Sequence, residues 1–145
     1  QYNNRWFLFG QNHELNKLQN LALDRIISLE FVSKSYIQTI IDFENYFEDI
    51  VGVTNNELQA VEEVVIELSQ NIIPYILSKP IHGSQILKGN ILKLKIKPNY
   101  EFESLILSFG ENMKILLPGN LQTRVAERIK KVNNFYECTS SAQLD

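Results

Sequence analysis

Cysteine is almost absent from this 145-residue chain: Cys138 stands alone. One thiol excludes an internal disulfide and any paired-cysteine metal or redox motif. It fits a reducing compartment, so a cytoplasmic location is the expectation. No apolar run approaches the roughly 20 residues of a membrane-spanning helix, and no membrane contact is expected. Gln1 to Gly10 lacks the charged start and long apolar stretch of a secretory leader. Surplus positive charge is missing as well. Fourteen lysines and arginines against 17 aspartates and glutamates leave a net charge of -3. That balance argues against a whole surface built for nucleic acid, though it leaves room for a local basic pocket.

Catalytic signatures are equally scarce. There is no Gly-rich phosphate loop, since Gly83 and Gly89 are isolated, and no HExxH or GxSxG pattern. His82-Gly83-Ser84 places a base near a hydroxyl, yet after Pro80 it reads as a turn. Cys138 borders a polar tail and His13 sits in a polar turn. Glu44, Glu48 and Asp49 read as a solvated helix face rather than a hard-cation site. No catalytic residue, metal site or cofactor is expected, and the chain is not read as an enzyme.

What is present is a near-average globular composition, 44% hydrophobic and 21% charged, sufficient for one domain or two small ones. Arg5 to Gly10 is aromatic-rich and reads as a strand entering the turn 11–14. Leu18 to Val32 reads as a second extended stretch, with Leu21 and Leu23 alternating about Ala22. Phe43, Phe47 and Ile50 recur at helical spacing behind Asp42, a good N-cap, and Gly52 is the stop. Val53 to Glu57 is the expected linker. Then come a strand at Val64–Leu68 and a helix within 69–79, with Pro74 in its first turn. Leu92, Leu94 and Ile96 alternate with Lys93, Lys95 and Lys97 in a strand. Phe102, Leu105, Ile106 and Phe109 form a helical stripe ended by Gly110. A strand at Met113–Leu117 and a last stripe of Leu121, Val125, Ile129 and Val132 follow. The second half is thus expected to run strand, helix, strand, helix, strand, helix. An α+β sheet with helices on one face would bury these stripes, and a ferredoxin-like split βαβ arrangement is the first choice.

Two features are candidates for binding. The lysine face of Lys93, Lys95 and Lys97 either attracts phosphates or protects an edge or solvent-facing strand. Arg5, Trp6, Phe7 and Arg25 combine guanidinium groups, which grip phosphate bidentately, with rings that stack on bases. The alternative is that Trp6 and Phe9 are core and Arg25 pairs with Asp24 or Glu30.

The run Tyr2-Asn3-Asn4-Arg5-Trp6-Phe7-Leu8-Phe9-Gly10, followed by Leu21-Ala22-Leu23-Asp24-Arg25-Ile26, resembles the WYL domain of bacterial transcriptional regulators. Trp6-Phe7-Leu8 occupies the naming motif, with phenylalanine in place of tyrosine, and Leu23-Asp24-Arg25-Ile26 matches the second signature. The second half, with Pro80-Ile81-His82-Gly83-Ser84-Gln85 and Leu107-Ser108-Phe109-Gly110, is similar to the C-terminal extension called WCX. The resemblance implies a partial SH3/Sm-like β-barrel over 1–52, a ferredoxin-like sandwich over 53–137 and a disordered tail over 138–145. It implies a sensor that binds a nucleotide or a short nucleic-acid-like anion through Trp6, Phe7 and Arg25, with Arg5 beside the motif. The bound state would control a helix-turn-helix DNA-binding domain outside this chain, in a homodimer. A start on Gln1 and strand-like sequence is what a segment of a longer protein would show. The competing expectation is an interaction module without a small-molecule ligand, its dimer contacts made by the extension and its lysine face.

Overall fold

The computed structural model describes residues 1–139 and is α+β, with two antiparallel sheets and four α-helices among them. The first half opens on a tight turn. Tyr2 and Arg5 exchange both backbone hydrogen bonds, at 2.9 and 3.0 Å, across Asn3 and Asn4. Both asparagines have positive φ, 46° and 60°, the conformation such a two-residue turn demands and asparagine tolerates. Strands β1 (Phe7–Asn12) and β2 (Lys17–Ala22) then pair from Phe7↔Ala22 to Asn12↔Lys17. One face of this hairpin rests on helix α1 (Phe43–Glu48) through aromatic edges: Phe9 lies 5.7 Å from Phe43 and 5.2 Å from Phe47. Asp42 caps α1 as expected, accepting from the amides of Glu44 and Asn45.

The stretch expected to extend from Leu18 to Val32 is shorter. The strand ends at Ala22, a 3-10 turn covers Leu23–Arg25, and residues 26–41 adopt no regular structure. The expected barrel is therefore represented by one hairpin, and the described residues close no barrel. The physical reason is that the run beyond Ile26, though patterned as a strand, pairs with no backbone among the described residues.

The second half forms one four-stranded antiparallel sheet. Its elements are β3 (Glu62–Leu68), α2 (Ile73–Ser78), β4 (Ile86–Lys88), β5 (Ile91–Ile96), α3 (Tyr100–Ser108), β6 (Met113–Leu117) and α4 (Gly119–Thr139). The order across the sheet is β4-β5-β3-β6. Since β3 and β4 both run antiparallel to β5, they are parallel to each other with β5 between them. By the same logic β5 and β6 flank β3 in parallel. Two βαβ units are thus interleaved. Strand β4 is the element the sequence pattern missed: three residues are too few to show a period, and Gly89 at φ 60° is the only local sign of its turn into β5.

One face of the sheet is fully buried. Val64, Ile66, Leu68, Leu92, Leu94, Ile96, Met113 and Ile115 pack against Ile76 of α2, Phe102 and Ile106 of α3, and Leu121 and Val125 of α4. The stripe of α4 outruns this core, for Ile129 and Val132 are half-exposed. The helix also continues through Thr139, two residues into the segment expected as a disordered tail; the rest of that tail lies outside the described residues.

Candidate functional site

The two halves are latched at the N-terminus of α3. Asn99 caps the helix by accepting from the Phe102 amide at 2.8 Å, and its own amide donates to the Val51 and Thr54 carbonyls. Beside it the Glu101 carboxylate accepts from the backbone amides of Val53, at 3.1 and 3.2 Å, and Thr54, at 2.9 Å. Consecutive amides turned toward one carboxylate form a small anion-binding concavity. The segment expected as a linker is thus docked on α3 from its first residues.

Beyond this latch a cleft of about 360 Å³ opens between the start of the hairpin and α3. Tyr2, Arg5 and Phe7 line one wall, and Tyr100, Glu101 and Ser104 the other. Arg5 reaches it from the Asn3-Asn4 turn and pairs with Asp24 at 3.0 Å, both side chains half-exposed. That contact, with the Leu23 amide donating to the Trp6 carbonyl, brings the two first-half motifs together. An exposed pair of this kind stabilises by only about 0–1 kcal/mol, so an incoming anion can take Arg5 from Asp24 at little cost. Tyr100 is exposed, with the Arg128 guanidinium 4.5 Å from its ring centre. An aromatic surface flanked by guanidinium groups suits a ligand that carries both a planar ring and an anion.

The expected site residues separate. Arg5 and Phe7 meet in the cleft. Trp6 does not: alternation along the strand turns it to the opposite face, where it is 62% exposed rather than core. Arg25 is exposed in the 3-10 turn, and Asp24, one of the two partners the alternative reading gave it, is held by Arg5 instead. Tyr100 and Ser104 were not foreseen. The available sign was their position off the apolar stripe of α3, which marks a helix face without saying what it meets.

The lysine face is compensated. Lys93 pairs with Glu63 at 3.3 Å and Lys97 with Asp49 at 3.8 Å, while Lys95 stands opposite Glu63 in the strand register. Their strand β5 is central in the sheet, so of the two protective readings, edge or solvent-facing strand, the structure has the second: Lys93 and Lys95 lie on the exposed face. Ser84 is equally occupied: its hydroxyl accepts from the Lys95 amide and lies 2.8 Å from His82 Nδ1, so it extends the sheet. Among the described residues no three histidine, cysteine, aspartate or glutamate side chains gather to hold a metal, and no helix is long and apolar enough to cross a membrane.

Tyr2 gives the cleft a pH dependence. Burial, and secondarily the Glu101 carboxylate, raise its phenol above the ordinary value near 10. A folded-state pKa raised in this way contributes stability that is complete below pH 10 and is lost as pH climbs through the folded value. Alkaline titration followed by tyrosine absorbance should therefore show phenols ionising later than free tyrosine, Tyr2 and Tyr46 among them, and Tyr2→Phe should shrink that late transition. An unchanged transition in Tyr2→Phe would refute the assignment.

Residues 60–132, half of the chain, match the family model of the WCX domain. No curated protein matches the chain.

Proposed function

The chain belongs to the WCX domain family, and from that premise we propose that it is the ligand-sensing regulatory region of a transcriptional regulator. A nucleotide or short nucleic-acid-like anion binds in the cleft, and its binding biases a DNA-binding domain elsewhere in the full protein. The interleaved βαβ units and the order β4-β5-β3-β6 support reading the second half as a ferredoxin-like sandwich. The hairpin bearing Arg5-Trp6-Phe7, joined to Leu23-Asp24-Arg25-Ile26, supports reading the first half as part of a WYL sensor.

One observation carries the reading: the cleft is walled by both halves. A ligand held by Arg5 and Phe7 on one side and by Tyr100 and Ser104 on the other changes the energy of one half relative to the other. That differential contact is what an allosteric sensor needs. In this reading the ligand is held rather than transformed.

The test is a titration with cyclic nucleotides and with a short single-stranded oligonucleotide at two salt concentrations. Binding should weaken as salt rises. Arg5→Ala should weaken it by about 10-fold, whereas Lys95→Ala, on the far face of the sheet, should change nothing. Failure of every anion to bind, or an Arg5→Ala protein that binds like the parent, would sink the reading. The second reading, an interaction module, draws no support from the compensated lysine face. A different observation favours it: a large exposed apolar surface on the first half.

A further inference from the structure

We propose that the groove between strand β2 and residues 53–58 is a second binding site, distinct from the Arg5 cleft, and that it takes a neutral saccharide. The inference goes beyond the sensor reading and does not rest on it.

The groove has a volume of about 750 Å³, about twice that of the Arg5 cleft. It falls within the range of about 300–1,000 Å³ usual for small-molecule sites. Three segments far apart in the sequence build it: the hairpin, α1 and the docked segment that follows Gly52. Side-chain carboxamides dominate its wall. Gln11, Asn16, Gln19 and Asn20 come from the hairpin, and Asn55 and Asn56 from the docked segment. Among the described residues lining it, Lys17 and Glu57 are the charged ones, one of each sign. A balanced pair gives a net anion or cation no advantage, which sets this groove apart from the arginine-bearing cleft.

Five of these carboxamides are each fixed at one end inside the protein. Asn20 donates to the Val53 carbonyl at 3.0 Å, and Gln19 accepts from Asn12 at 2.8 Å. Gln11 donates to Asn16 at 3.4 Å, and Asn56 accepts from the Leu58 amide at 3.2 Å. The other end of each has no partner among the described residues. What remains is three donor groups, on Asn16, Gln19 and Asn56, and two acceptors, on Gln11 and Asn20. Asn55 is used in holding the wall itself: it donates to the Tyr46 carbonyl and accepts from Lys97. Behind it, Glu101 fixes the amides of Val53 and Thr54. Groups held before a ligand arrives lose little freedom when it binds.

The pattern of spare groups identifies the ligand class. A sugar hydroxyl both donates and accepts, so a ring of hydroxyls matches a wall of interspersed amide donors and acceptors. An anion would use the donors alone and leave the carbonyls of Gln11 and Asn20 unpaired. The flat face of a sugar ring is lined by C–H groups and packs on an aromatic ring. Tyr46 supplies one at the groove. Its ring is held in place by edge contacts with Phe9, Phe43 and Phe47, at 6.1, 6.2 and 5.0 Å between centres. Burial, and secondarily the Glu57 carboxylate, raise its phenol above the ordinary value near 10, so it remains a neutral hydroxyl able to donate and accept.

Titration of the full chain with glucose, N-acetylglucosamine and maltose, followed by backbone amide shifts, tests this. At least one of them should bind with a Kd on the order of 1 mM. The shifts should fall on residues 17–20 and 53–57, and raising the salt should leave the affinity unchanged, as for any uncharged ligand. Gln11→Ala and Asn56→Ala each remove a spare group and should weaken binding by about 5-fold. Both positions are exposed, so the fold should survive, as circular dichroism would verify. Arg5→Ala should leave saccharide binding intact; a loss there would place the sugar in the other cleft and overturn the proposal. No binding of any of the three at about 50 mM overturns it. So does binding indifferent to both Gln11→Ala and Asn56→Ala. Adenosine, binding at these amides where no saccharide does, would overturn the ligand class. Arg5→Ala probes the anion reading and Gln11→Ala this one, so the two fail separately.

Discussion

Glu103→Ala should lower the unfolding free energy by about 2–3 kcal/mol. Glu103 is the one buried charged residue among those described, at 8% exposure. Both of its oxygens are used: Oε1 accepts from Arg124 Nε at 2.7 Å and Oε2 from Arg128 Nη1 at 3.1 Å. Arg124 and Arg128 are one helical turn apart on α4, so a single carboxylate on α3 clamps the two helices together. Alanine would leave two guanidinium groups facing a small void. Removing one partner of a buried pair costs about 3–5 kcal/mol, because the remaining charge is stranded away from water. Here the lower figure applies, since the Arg124 side chain is 42% exposed and water screens it. The damage should reach the cleft. Arg128 also donates to Ser104 Oγ and lies over Tyr100, so its release disturbs two residues of the ligand wall. Chemical denaturation measures the first effect and anion titration the second. Glu103→Gln, which keeps one acceptor, should cost about half as much. A loss below about 0.5 kcal/mol in Glu103→Ala would show that the clamp contributes nothing beyond an exposed ion pair.

Gly52→Ala should be nearly as costly, at about 2–3 kcal/mol, but the loss should fall on the docking of the first half. Two penalties add. Gly52 has φ 99°, a conformation that an L side chain enters only with strain of about 1–2 kcal/mol. A Cβ there would lie 2.5 Å from Cδ and Oε2 of Glu101. The carboxylate would have to leave the amides of Val53 and Thr54, exchanging charge-assisted hydrogen bonds for water. Amide exchange should therefore quicken in residues 51–54 and in β1 and β2, with β3 and β5 little changed. Glu101→Ala alone should quicken the same amides. The double variant should cost less than the sum of the single ones, because removing the carboxylate also removes the clash. Full additivity would mean that Gly52 is required for its backbone freedom alone.

The parts of the fold that were legible beforehand share one property: they are written in local periodicity. Leu92, Leu94 and Ile96 set against three lysines could only be a strand with one buried face, and those three residues are fully buried. Phe102 and Ile106, or Leu121 and Val125, marked helix faces correctly for the same reason. The capping role of Asp42 was equally local, since a carboxylate reaches amides only two and three residues on.

Periodicity failed where the deciding contact was distant. The segment 26–32 carries a strand's alternation, yet a strand exists only when another backbone pairs with it, and none of the described residues does. Trp6 read as a ligand contact or as core and is neither in the cleft nor buried, because burial of a strand face depends on what lies over it. Arg25 holds a motif position and Arg5 only stands beside one, yet the turn at Asn3 and Asn4 carries Arg5 to the cleft and to Asp24, while the 3-10 turn leaves Arg25 in solvent. Sequence by itself determined the α+β class, most of the elements and which face of each is apolar, because these follow from spacing along the chain. Tertiary structure alone decided that Arg5 and Phe7 face Tyr100 and Ser104 across one cleft. Partners nearly 100 residues apart meet only through the latch of Asn99 and Glu101 on residues 51–54, a contact that no local pattern encodes.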